Sequence, residues 1–274
     1  MSSLASTAEA PEPAATGPKP ARGPIDVWSA WLEPPHPLRG HLTGYLSPDE
    51  RARAVRFVFP RHRDRFIAGR AFLRLLLAQY LGTDASELTF RYGAHGKPAL
   101  ADDRSDLRFN LAHCGSLAVC ALARGCGDLG VDVERLRPLA DAGDVARSSF
   151  SPNEVAELET VEPEPARLRA FFNGWTRKEA FLKALGDGLA RPLDSFDVTL
   201  KPGDPPRLLR TEGDPEEARR FSLHAFEPET GYVAAVAVRG HAWDVRQVRW
   251  HWVEERRSPD AMPPRSSDGP ARRR

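Results

Sequence analysis

Cysteine is scarce in this chain of 274 residues. Cys114, Cys120 and Cys126 are an odd number without C-x-x-C spacing, which argues against a disulfide framework and against a zinc site. An excess of one charge sign is also missing. The 39 Lys and Arg nearly balance the 38 Asp and Glu, giving a net charge of +1, so no global field favours a polyanion and no nucleic-acid partner is expected. Long apolar runs are lacking too: residues 73–81 form the longest, broken by Arg74 and Gln79 and far too short to span a bilayer. The first residues carry neither a basic n-region nor an apolar h-region. Secretion and a membrane partner are therefore disfavoured, and a cytoplasmic location is expected.

A chain of this length can bury about 70% of its unfolded surface as one large or two small domains. Residues 1–24 and 257–274 are rich in small residues and proline without periodicity and are expected to be disordered tails, the second ending in Arg272-Arg273-Arg274. Between them the pattern predicts a strand near 25–31, a helix opening at Ser47-Pro48-Asp49-Glu50 where Ser caps and Pro takes the first turn, and a longer helix near 63–80. Strands are expected near 88–92, 107–111, 117–123 and 129–134. The alternation then repeats, with helices near 152–158 and 167–185 and strands near 195–200, 221–226, 232–239 and 245–253. Residues 115–125 faintly echo 231–240, each an apolar strand closed by Arg-Gly.

Two segments carry chemistry. Residues 129–134 alternate apolar and polar, so in a strand Val131 and Val133 face a core while Asp132 and Glu134 project together on the other side. Paired hard oxygen ligands suit Mg²⁺, which fills its other positions with water and phosphate oxygens; a solvated polar strand face would show the same alternation. Further along, Phe171, Trp175, Leu182 and Leu185 recur at helical spacing before the stop signal Gly186. Glu179 lies four residues after Trp175 and four before Lys183, at the edge of that stripe. An ordinary i,i+4 surface pair accounts for Glu179 and Lys183 equally well, although Arg177 and Lys178 make the cluster denser than such a pair needs.

Gly96-Lys97-Pro98, Phe109-Asn110-Leu111-Ala112-His113, Gly130-Val131-Asp132-Val133-Glu134, Phe150-Ser151-Pro152-Asn153-Glu154, Trp175 to Lys183 and Pro192-Leu193-Asp194-Ser195-Phe196 follow one another in order. Together they resemble the surfactin-type 4′-phosphopantetheinyl transferases over about residues 45–240. The resemblance implies an α+β fold of two similar halves related by a pseudo-two-fold, here 25–128 and 129–256, with the active site between them. It implies transfer of the phosphopantetheine arm of coenzyme A to a serine of an apo-acyl or peptidyl carrier protein, with Mg²⁺ and release of 3′,5′-ADP. Asp132, Glu134 and Glu179 would hold the metal. Glu179 would also be the base, and Lys183 would neutralise the phosphate. Arg53, Arg91, Lys97, Asn110, His113 and Lys183 match positions that contact coenzyme A. Both halves lie in one chain, so a monomer is expected to suffice.

The chain departs from the family pattern where Ala112 and Cys114 replace serines flanking the histidine, and where Glu50 stands in place of a frequent lysine. From Glu50 to Arg74 there are eight arginines against two acids, Glu50 and Asp64. Arginine's planar fork suits phosphate oxygens, although long charged side chains also simply face solvent. Two other classes stay open: a metal-dependent phosphodiester hydrolase built on the same acids and lysine, and a non-catalytic coenzyme A or nucleotide-binding protein that keeps only the basic wall.

Overall fold

The structure is a computed structural model that describes residues 4–5, 23–102, 105–186 and 191–254. The first part of the chain runs β1 (Leu4–Ala5), β2 (Ile25–Trp31), α1 (His36–Leu42), α2 (Pro48–Ala54), α3 (Pro60–Leu81), β3 (Phe90–Tyr92), β4 (Pro98–Leu100), β5 (Leu107–Cys114) and β6 (Leu117–Arg124). It continues with β7 (Leu129–Arg135), α4 (Ala142–Ser149), α5 (Pro152–Glu159), α6 (Glu164–Leu185), β8 (Phe196–Val198), β9 (Leu208–Thr211), β10 (Phe221–Phe226) and β11 (Tyr232–Arg239). Two strands close it, β12 (Val245–Arg249) and β13 (Val253–Glu254).

From β2 to β6 and from β7 to β11 the elements follow the same order, strand, three helices, four strands. The sheets agree as well: β2-β6-β5 in the first half and β7-β11-β10 in the second, all antiparallel neighbours. The repeat is regular enough to number. Ile25 and Leu129, Glu50 and Glu154, and Gly82 and Gly186 are each 104 positions apart. Both long helices end on a glycine in the left-handed region, Gly82 at φ 65 and Gly186 at φ 79, a conformation that a Cβ would strain.

The same alternation of side chains that makes each strand also builds the layers. Along β6, Leu117, Val119, Ala121 and Ala123 face the second sheet, where they meet Val131, Val133, Val236 and Val238. Ala118, Cys120 and Leu122 face the other way, onto Phe72, Leu76 and the rest of α3. On the far side, Ala235 and Ala237 of β11 pack against Ala180, Phe181 and Ala184 of α6. The order is helix, sheet, sheet, helix, with the sheets of the two halves face to face.

Each long helix is anchored by one buried cation. Arg74, 1% exposed, donates to Glu50 at 2.6 Å and to the carbonyls of Ala85 and Leu88. Lys178, fully buried, pairs with Glu154 at 2.7 Å and donates to the carbonyls of Leu193 and Phe196. Glu50 and Glu154 also close capping boxes with Ser47 and Ser151, so each acid joins a helix start to a helix interior.

The structure differs from the sequence reading in places. The long helices begin earlier than expected, at Pro60 and Glu164, because proline is tolerated in a first turn. The short helices α1 and α4 and the short strands β4 and β9 carry too little periodicity to be read. The last predicted strand is two, and β12 runs parallel to β2, joining the sheet of the first half. There it is followed by Trp250, buried against Trp28 and Phe72. Leu4 and Ala5 pair with Glu254 and Val253; the remainder of the expected tails, within 1–22 and 257–274, lies outside the described residues.

Candidate active site

Glycine 130 decides how close α6 can come to β7. A Cβ placed there would stand 2.1 Å from the Ala180 carbonyl oxygen and 2.3 Å from the Ala184 nitrogen, so only a residue without a side chain lets the helix backbone rest on the strand. Asp132 is the next residue on that face, because side chains two apart share a side. The close approach puts Lys183 against it: Nζ donates to Asp132 Oδ1 at 2.5 Å. Asp132 is 5% exposed, and its second oxygen, Oδ2, is buried without a hydrogen-bond partner. Burial pushes the Asp132 pKa up to about 7 against the pull of Lys183, and the charges of Glu134 and Glu179 push it further in the same direction. Glu134 and Glu179 thus lie close enough for their charges to bear on Asp132.

Strand β5 faces β7 across the junction of the two halves without a backbone ladder between them. Side chains make the links instead. Asn110 Oδ1 accepts from the Val131 amide at 2.8 Å, and Cys114 Sγ donates to Glu134 Oε2 at 3.2 Å. These links stand on either side of Asp132. Burial and the Glu134 charge push the Cys114 thiol up to about 11, keeping it a protonated donor. Ala112 lies between them with its side chain in the inter-sheet core. The serine-to-alanine departure therefore falls on a packed face.

Two adjoining clefts of about 360 and 290 Å³ share Lys97, Pro98 and Gly186. The first also takes in Arg91 and Arg108; the second reaches Asn110, Glu179 and Lys183. Lys97 sits on the β3–β4 hairpin, where Gly96 takes φ 79. Its Nζ donates to the Leu129 and Ala184 carbonyls at 3.0 and 2.9 Å, tying a loop of the first half to the strand and helix of the second. Burial brings its pKa down to about 8.

Other expected residues are placed differently. His113 is exposed and lines neither cleft; crowding by the surrounding protein, then the Lys183 and Arg65 charges, hold its pKa below the usual imidazole value. Arg53 is exposed on α2, stacked over Phe66 at 5.3 Å, and also lines neither cleft. Glu50, where the family pattern led to the expectation of lysine, is buried in ion pairs with Arg70 and Arg74. Lys178, adjacent to Glu179 in the motif, is the buried anchor of α6 and is turned away from Asp132. Sequence reasoning missed the structural roles of Gly130 and Cys114. A glycine inside a strand pattern was the available signal for the first; the second had none.

Among the described residues no three His, Cys, Asp or Glu side chains form a ready cage for a metal ion. An orphaned, buried carboxylate oxygen beside two further acids nonetheless fits a hard cation that takes most of its ligands from water and phosphate.

A family model described as the 4′-phosphopantetheinyl transferase superfamily matches residues 128–237, and one described as 4′-phosphopantetheinyl transferase, N-terminal, matches residues 30–124. The chain is 40% identical over 230 residues to the 4′-phosphopantetheinyl transferase HetI of Nostoc sp., covering 83% of this chain and 92% of that one. The chain belongs to the 4′-phosphopantetheinyl transferase family. It is also 30% identical over 156 residues to the 4′-phosphopantetheinyl transferase Sfp of Bacillus subtilis (57% of this chain, 67% of that one). To the human L-aminoadipate-semialdehyde dehydrogenase-phosphopantetheinyl transferase it is 28% identical over 208 residues (71% and 67%). The two matched segments of this phosphopantetheinyl transferase meet between residues 124 and 128, where one repeated half gives way to the other. No described helix is long and apolar enough to cross a membrane.

Proposed function

We propose that this transferase moves the 4′-phosphopantetheine arm of coenzyme A onto a serine of an apo-acyl or peptidyl carrier protein, with Mg²⁺ held by Asp132, Glu134 and Glu179. The observation that carries the reading is the Asp132 carboxylate, paired on one oxygen with Lys183 and orphaned on the other. Bound there, Mg²⁺ supplies Lewis-acid stabilisation of charge on the pyrophosphate. Glu179, half-buried at the cleft, takes the proton of the carrier serine as its oxygen forms the new bond to phosphorus. The pyrophosphate P–O bond breaks, and 3′,5′-ADP leaves with the electron pair. Lys183 faces that developing charge, and its help is electrostatic.

Lys97, Arg91 and Asn110, which line the clefts, are proposed to hold coenzyme A, with His113 at the edge near Lys183. Arg53, exposed outside both clefts, is proposed for the phosphate farthest from the reacting centre, the 3′-phosphate. One chain carries both halves, so we propose that it works as a monomer in the cytoplasm, without nucleic acid or membrane.

The test is incubation with coenzyme A, Mg²⁺ and a panel of apo-carrier proteins from fatty-acid, polyketide and peptide-synthetase systems, read by intact mass. One phosphopantetheine per carrier is expected, lost when the carrier serine is changed to alanine, with 3′,5′-ADP released. Free phosphopantetheine formed without carrier would make the protein a hydrolase. Both substrates left intact across the whole panel would overturn the reading.

A further inference from the structure

Each of the two strand carboxylates has one oxygen engaged and one free. Asp132 Oδ1 accepts from Lys183 at 2.5 Å, while Oδ2, on a side chain buried to within 5%, has no partner. Two residues along the same face, Glu134 Oε2 accepts from the Cys114 thiol at 3.2 Å. Among the described residues that thiol is the only hydrogen-bond donor to the Glu134 side chain, and Oε1 has none. Cys114 is held firmly. It closes β5 opposite Leu117 across the turn Gly115-Ser116, where Gly115 takes φ 61, and it packs against the inter-sheet core. Strand β7 does not need this thiol to find its place. Its ladder to β11 sets Val233 opposite Glu134, and Asn110 holds the Val131 amide. What those bonds leave undetermined is the Glu134 carboxylate, at the end of a long flexible side chain that costs conformational entropy to order.

We propose that Cys114 is a positioning residue for the divalent cation: its S–H holds one oxygen of Glu134 and leaves the other, beside the orphaned Asp132 Oδ2, for the metal. The inference rests on the transferase reading with its Mg²⁺ site, and deepens it. Hydrogen bonds to the ligands of a metal fix their orientation, and removing one typically weakens binding by about tenfold to a hundredfold. A thiol is a weak donor, but a charged acceptor strengthens the bond, and no other donor competes for that oxygen. The thiol belongs to the first half and the acids to the second, so the readiness of the metal site depends on how the halves meet.

The test compares Cys114→Ala with Cys114→Ser, measuring Mg²⁺ binding by calorimetry on metal-free protein saturated with coenzyme A and without carrier. Alanine removes the donor. Serine restores one, yet its hydroxyl suits an apolar core less well, so a role in packing alone would leave serine no better than alanine. Cys114→Ala should raise the Kd for Mg²⁺ about tenfold, and Cys114→Ser should return it to within about twofold of the parent's. In a Glu134→Ala background, Cys114→Ala should change the Kd no further, because its effect runs through that carboxylate. Thermal melting in chelator checks that each variant folds; Cys114→Val, which lacks the donor but fills the space, replaces an alanine variant that does not. An unchanged Kd in the folded donor-free variant would overturn the positioning role and leave the transferase reading intact. So would a serine variant as weak as the alanine one, or an undiminished loss in the Glu134→Ala background. If Glu134→Ala alone left the Kd untouched while the parent still modified carriers, Glu134 would not be a ligand and the role of Cys114 would fall with it. A parent protein that modified no carrier would overturn the transferase reading itself, and this inference with it.

Discussion

Lys183 and Asp132, 51 residues apart in the chain, meet at 2.5 Å and leave Asp132 Oδ2 buried and unpaired. The pair exists because Gly130 lets α6 rest on β7. Its half-satisfied state makes a structural ion pair an incomplete description, since a buried carboxylate oxygen without a partner costs stability that a purely structural site would avoid.

Asp132 should make metal-free stability depend on pH. Its pKa is raised to about 7 from the ordinary 3.8, so between about 4 and 7 the folded protein binds a proton that the unfolded chain does not. Stability contributed by this group is therefore lost as pH rises through that window. Melting in chelator should show the stability of Asp132→Asn gaining on the parent from pH 4 to 7 and levelling above it. Adding Mg²⁺ at pH 7.5 should raise the parent's Tm and leave the variant's unmoved. A difference independent of pH would mean that Lys183 keeps Asp132 ionised throughout.

Glu179→Gln should lose about 10² to 10⁴ in kcat, the usual worth of a positioned base, with KM for coenzyme A within about twofold of the parent. Single-turnover transfer to an apo-carrier is the measurement. Near-normal turnover would remove Glu179 from the mechanism.

Gly130→Ala should destabilise by about 3 kcal/mol or fail to fold, because the added methyl meets helix backbone, which cannot swing aside. Urea unfolding gives the number. Any folded fraction should also bind Mg²⁺ poorly, since moving α6 outward separates Lys183 and Glu179 from Asp132.

Lys178→Met should behave as a stability variant. It leaves Glu154 charged and buried without its cation, at a cost of about 3 to 5 kcal/mol. At low temperature, where the protein remains folded, kcat should stay near the parent's. A large loss of kcat without loss of stability would place Lys178 in the chemistry.

Much of this was open to inspection in the sequence. Strand alternation at 129–134 put Asp132 and Glu134 on one face, and helical spacing around Trp175 put Glu179 and Lys183 near one edge, because both periods are local properties of the backbone. The repeated Ser-Pro-x-Glu at Ser47 and Ser151 was equally visible, as a spacing. The tertiary structure decided which partner each charge found. Lys178 and Lys183 lie five residues apart in one motif, yet one is sealed against Glu154 and the other faces Asp132. Glu50 and Arg74 bury each other, while Arg53 stays on the surface. Strand β12 crossed into the first sheet. Periodicity reports which side of an element is apolar; it carries no information about the distant segment that side will meet. Such pairings arise only when the layers pack, and at this site that packing depends on the missing side chain of Gly130.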